Sequence, residues 1–275
     1  MRLGAFDLHI VSDGTFALDG GQMFGVVPKP LWEKQLAADA RNRVRLALNC
    51  LLVRTGTHNV LIETGIGDKF DRKHSDIYGI EKNTHLLAEL AKRALKPEDI
   101  HIVINTHLHF DHCGWNTRRE DSRVIPTFPR ARYFVQRGEW EHAFQPSERD
   151  RASYVAEFFE VTEKQTELVE GDAEIIPGVR LEVLPGHTRD LQGVRVTSEG
   201  QQAFFISDLC PTRLHLPYPW ITAFDLYPME TLASKKRILP ELAQEGTLVV
   251  FPHDAVVPWG RLVDREGRFE ARPAS

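Results

Sequence analysis

Short apolar runs bounded by Gly, Pro or Asp recur along the whole chain, alternating with stretches whose apolar residues return at helical spacing. β-Branched and aromatic residues crowd positions 6–11, 47–53, 59–62, 102–105, 132–135, 180–184, 193–197, 203–206 and 248–251, which predicts strands there. Helical spacing is clearest in 84–95, where Leu86, Leu87, Leu90 and Leu95 share one broad face, and in 229–243. Tyr154, Val155, Phe158 and Phe159 predict a third helix over 148–160, and 261–269 reads as a short hairpin. The stretch 18–32 fits neither pattern. It is too rich in Gly and Pro for a regular helix, yet Met23, Phe24, Val26, Val27 and Trp32 are more apolar than a solvated loop needs. Capping of the core, or a homodimer contact, is one reading of that stretch. No linker or low-complexity tract interrupts the alternation, so 1–275 is expected to form one α/β domain with a two-sheet core and helices outside.

Composition narrows the classes without choosing one. A chain of 275 residues with 42% hydrophobic and 27% charged residues can bury a large core. A formal net charge of -5 offers no basic footprint for nucleic acid. No apolar run reaches transmembrane length and the amino terminus lacks the apolar core of a secretory signal, so the expectation is a cytoplasmic protein with no membrane partner. The three cysteines, Cys50, Cys113 and Cys210, are odd in number and widely spaced, which fits free thiols in a reducing compartment.

Candidate chemistry concentrates after the apolar run 102–104, in Thr106-His107-Leu108-His109-Phe110-Asp111-His112. Three imidazoles and a carboxylate so close together are costly to bury without a cation. In extended backbone alternate side chains share a face, so His107 and His109 can grip one ion while a following turn brings Asp111 and His112 to a second. His187, Asp208 and His253 each follow another predicted strand. Loops at one rim of a sheet are where rigid scaffolds converge functional groups. Seven ligands exceed one tetrahedral ion and suit two ions sharing a carboxylate. Without a thiolate, such a set takes zinc, iron, cobalt or manganese.

The pattern His-x-His-x-Asp-His, with Gly186-His187-Thr188, Ser207-Asp208 and the late His253, resembles the ligand signature of dinuclear metallo-β-lactamase-fold hydrolases. The segment 18–32 and Asp208-Leu209-Cys210-Pro211-Thr212 are similar to the quorum-quenching N-acyl homoserine lactonase branch, notably its YtnP-type members. The resemblance implies an αβ/βα sandwich, two divalent ions with zinc foremost, and a small-molecule lactone or ester as partner. It implies that His107, His109 and His187 hold one ion, Asp111, His112 and His253 the other, and that Asp208 bridges them. Asp111 and Asp208 then also count as catalytic, because a metal-bridging hydroxide attacks the lactone carbonyl. By the same resemblance, Phe24 and Trp32 overhang the pocket as an acyl-chain wall.

Two positions depart from the family pattern. Pro211 stands where a tyrosine usually assists the leaving group, leaving Tyr218 or His215 as substitutes. Glu63 stands where an aspartate usually orients a metal-bound histidine, and its longer side chain needs a shifted backbone to do the same. Organophosphate or aryl-ester hydrolysis is the nearest alternative activity. A glutathione thioesterase of the glyoxalase II kind would carry a helical carboxy-terminal domain, and dizinc β-lactamases use a cysteine at the Asp208 position. A ligand-sensing module is the non-enzymatic alternative.

Overall fold

The computed structural model describes residues 1–274. One sheet takes its strands from residues 2–169, in the spatial order Arg2–Leu3, Phe6–Asp19, Arg43–Arg54, Asn59–Ile62, Ile102–Ile104, Arg132–Gln136 and Thr166–Val169. Its last three pairings are parallel. The other sheet runs Ala173–Ile176, Val179–Val183, Gln192–Ser198, Gln201–Phe205, Leu248–Val250, Trp259–Asp264 and Phe269–Pro273. Its parallel pair, Gln201–Phe205 with Leu248–Val250, is the one joined through the helix Pro228–Gln244, as a parallel crossover requires.

Leu51, Val53, Ile62 and Ile104 pack from the first sheet against Leu181, Val196, Phe205 and Val250 from the second. The alternate residues Cys50, Leu52, Leu61 and Val103 face the other way and meet Leu86 and Leu90 of the helix Leu86–Ala91. On the far side, Phe204 and Val249 meet Ile238, Leu239 and Leu242 of Pro228–Gln244. Helix, sheet, sheet and helix therefore stack as the expected αβ/βα sandwich. Strands covered on both faces read as continuous apolar runs, which is why their two-residue alternation is muted in the sequence.

Three local expectations are corrected. Residues 148–160 form turns and the 3₁₀ pieces Ala156–Phe158 and Glu160–Gln165, not a helix. Adjacent Phe158 and Phe159 are both buried but against different partners, Phe70 for one and Trp140 and Phe144 for the other, and a single helix face cannot serve both. The helix expected over 84–95 covers only Leu86–Ala91, because Ala94 adopts a left-handed φ of 57°. Conversely, 18–32 contains two short helices, Gly20–Phe24 and Lys29–Trp32. Asp19 caps the first by accepting from the Gln22 N–H, and Pro30 fits the opening turn of the second. Among the described residues, no helix is long and apolar enough to cross a membrane.

Candidate metal centre

All seven expected ligands converge at one rim of the sandwich. After Ile102–Ile104 the chain bends at Thr106 and His107, is extended again at His109, and turns into the short helix Phe110–Cys113, which carries Asp111 and His112. His187 follows Val179–Val183, Asp208 sits in the turn Ser207–Leu209 after Gln201–Phe205, and His253 follows Leu248–Val250. One donor atom each from His107, His109 and His187 lie within 4.8 Å of one another, and so do those of Asp111, His112 and His253. Asp208 stands between the two sets. Its Oδ2 is 3.6 Å from His187 Nε2 and 3.5 Å from His112 Nε2, and its Oδ1 is 3.2 Å from His253 Nε2.

The donor chemistry fits a pair of cations. His107 Nε2 and His109 Nε2 are buried without a hydrogen-bond partner, an arrangement that is costly unless something else satisfies them. His187 Nε2 faces His109 Nδ1 at 3.1 Å, and His253 Nε2 faces His112 Nε2 at 3.1 Å. Burial and the neighbouring imidazoles hold His107 and His109 well below the ordinary histidine range, so both present lone pairs. Burial opposes the charged form of His112, but Asp208, Asp111 and Glu63 outweigh it and draw a positive charge there. Burial likewise disfavours ionised Asp208, yet His253 and His112 keep it well below the usual carboxylate range. Cys113 and Cys210 adjoin these loops but are packing residues. Burial pushes the Cys113 thiol well up and the Cys210 thiol to about 11, so neither offers a thiolate.

Outer partners fix the ligand rings. Glu63 adopts a left-handed φ of 64°. Its Oε1 accepts from the Thr106 N–H at 2.9 Å and from the Thr106 hydroxyl, and lies 3.5 Å from His112 Nδ1. The His253 Nδ1–H donates to the Ala47 carbonyl at 2.8 Å. Asp225, which sequence reasoning missed, accepts from His187 Nδ1 at 3.0 Å and from the hydroxyls of Thr222 and Thr231. Only a scatter of polar residues in an otherwise apolar stretch hinted at it. Gly186 belongs to the same device, since a Cβ there would sit 2.2 Å from the Thr231 hydroxyl oxygen.

Above the ligands opens a cavity of about 510 Å³. His109, Asp111, His187, Asp208 and His253 form its floor, and Leu18, Met23, Ile77, Tyr78, Phe110, Phe224 and Leu226 supply apolar wall. Arg149 lines it too, held by a 2.6 Å bond to the Ala223 carbonyl.

Residues 44–253 match the model of the metallo-beta-lactamase superfamily. The chain belongs to that superfamily. An N-acyl homoserine lactonase of Bacillus cereus is 26% identical over 229 residues, covering 78% of this chain and 83% of the relative. A probable metal-dependent hydrolase from Staphylococcus aureus superposes over 100% of both chains with a TM-score of 0.93 and 32% identity. The dizinc quorum-quenching lactonase AidC, solved with a product, superposes over 100% of this chain and 96% of its own with a TM-score of 0.84 at 21% identity, a likeness of fold. With its buried donor sets, the chain is a metal-dependent hydrolase of the metallo-β-lactamase superfamily, related to N-acyl homoserine lactonases.

The expected substrate contacts are placed differently by the structure. Phe24 and Trp32 are 1% exposed and do not line the cavity. Phe24 is stacked between Trp32 and His215, with ring centroids 5.1 Å away on each side. The segment does reach the cavity, but through Leu18, Gln22 and Met23. His215 lies behind that wall, its Nε2–H donating to the Met23 carbonyl and its Nδ1 accepting from Thr212, so both ring nitrogens are engaged. Burial drives its pKa down to about 4, which keeps it neutral. Tyr218 packs edge-on against Phe269 in the cluster outside the second sheet. None of these aromatic residues advertises its depth in the sequence. Tyr78, Arg149 and the pair Phe224 and Leu226 were missed because they come from three segments far apart in the chain.

Proposed function

We propose that this hydrolase opens lactone rings, with N-acyl homoserine lactones as its main substrates. The observation that carries this reading is a single cavity of about 510 Å³ whose floor is the double ligand set and whose walls are largely aliphatic and aromatic. A small polar ring on the floor and an acyl chain along Met23, Phe110, Phe224 and Leu226 match that division. The similarity to named lactonases supports it.

Two divalent ions bound at the floor would supply a nucleophilic water near neutral pH and polarise the scissile carbonyl. His107, His109 and His187 would hold one ion, Asp111, His112 and His253 the other, and Asp208 would bridge both. Glu63 and Asp225 keep His112 and His187 in the ring orientations that this requires. Asp208, kept ionised by its histidine neighbours, fixes the spacing of the two sets. The apolar wall orients the chain and thins out water around the reacting ester.

Covering each methylene is worth about 0.8 kcal/mol, so four extra carbons along the wall should raise kcat/KM on the order of a hundredfold. Acyl homoserine lactones of several chain lengths, simple lactones, aryl esters, a phosphotriester, a glutathione thioester and a β-lactam should be compared on the metal-loaded enzyme. The expected order places long-chain lactones first, with weaker aryl-ester and phosphotriester turnover at the same floor. A phosphotriester or β-lactam with the higher kcat/KM would replace the lactone assignment.

A further inference from the structure

Ring opening leaves an alkoxide that must be protonated, and Pro211, which lines the cavity, has no proton to give. The carboxyl and imidazole groups around the floor are already engaged. The histidines and Asp111 and Asp208 belong to the ligand sets, and the Thr222 hydroxyl is committed to Asp225. Asp150, despite its burial, is held below the usual carboxylate range by Ser147 and His142 and carries no proton near neutrality.

The chain's other tyrosines are also accounted for. Tyr133 donates to the Asn116 carbonyl at 3.1 Å, Tyr154 donates to Glu139 at 3.0 Å, Tyr227 accepts from Arg189 at 3.4 Å, and Tyr218 lies against Phe269 outside the second sheet. Tyr78 remains. It lines the same cavity as Asp111, Asp208 and Pro211, and among the described residues its hydroxyl has no hydrogen-bond partner. Its ring is positioned from the ligand loop itself, 4.7 Å from the ring of Phe110, the residue directly before Asp111, and 5.7 Å from Phe70. Its backbone is tied by the Ala17 N–H, which donates to the Tyr78 carbonyl at 2.6 Å. Burial, and then the charge on Asp111, push the phenol above its ordinary value, so it holds its proton throughout the neutral range.

We propose that Tyr78 is the proton donor to the leaving oxygen, a role that rests on the lactone-opening reading. As the acyl C–O bond breaks, the phenol O–H bond breaks with it and a new O–H bond forms on the departing oxygen. The resulting phenolate then recovers a proton from water, leaving the enzyme unchanged. Even so raised, a phenol is a stronger acid than an aliphatic alcohol, so the transfer to an alkoxide runs downhill.

The test is Tyr78→Phe in the metal-loaded enzyme, a change that keeps the ring against Phe110 and removes only the hydroxyl. Metal content should stay at the wild-type level. Turnover of a lactone, whose leaving group needs a proton, should fall by about a hundredfold or more. Turnover of a 4-nitrophenyl ester, whose leaving group departs unprotonated, should be nearly unchanged, and the dependence of rate on leaving-group acidity across aryl esters should steepen. Equal losses on both substrates, or no loss on either, overturn the proposal. Should the wild type cleave alkyl esters but no lactone, the lactone reading fails on its own. The alkyl-against-nitrophenyl comparison then still decides for or against Tyr78.

Discussion

Asp208→Ala is expected to lower turnover on the order of a thousandfold or more while the protein stays folded. Positioned metal ions contribute several kcal/mol to the reaction barrier, and each 1.4 kcal/mol or so is a factor of ten. Among the described residues, Asp208 is the one carboxylate within 3.6 Å of a histidine from each donor set, so its loss uncouples them. The fold should survive because its carboxylate contacts ligand histidines and not the apolar core. Circular dichroism and steady-state kinetics on matched samples would check this. A variant within tenfold of wild type would mean that the two sets do not act together.

Trp32→Ala should produce the largest stability loss among the residues around the cavity, about 3–5 kcal/mol. The indole is 1% exposed, stacks on Phe24 at an interplanar angle of 17°, and fills the space that a Cβ on Gly20 would otherwise contest at 2.4 Å. Its removal leaves a cavity behind the Met23 wall that backbone shifts can only partly fill. In urea the unfolding midpoint should drop with the slope unchanged. Relative rates on short and long acyl chains should change little, since Trp32 does not face the substrate. A loss below 1 kcal/mol together with a flattened chain-length preference would return Trp32 to the acyl-chain wall.

How much of this was legible in the sequence follows from the range over which each feature is encoded. The metal centre was readable because four donors fall in six consecutive positions and the other three each end an apolar strand. Strand polarity and the rim did the rest. The helix Pro228–Gln244 was readable because its buried residues recur at helical spacing over 17 positions. Residues 148–160 misled because Phe158 and Phe159 are apolar for two separate contacts, which local periodicity cannot distinguish from one helix face. Phe24 and Trp32 were apolar for a third reason, mutual stacking under a short capped turn whose Asp19 cap carries only a local signal. The cavity wall was the least legible. Tyr78, Phe224 and Arg149 meet only in three dimensions, through chain segments whose approach is set by the sheets and not by any motif.

The number of ions that the centre holds is the most direct measure of a dinuclear hydrolase. Protein stripped with a chelator, reloaded with zinc or manganese and freed of excess metal should contain two ions per chain by elemental analysis, and should recover activity in proportion to occupancy. A single ion per chain at saturation, or full activity in the stripped protein, would contradict a dinuclear centre.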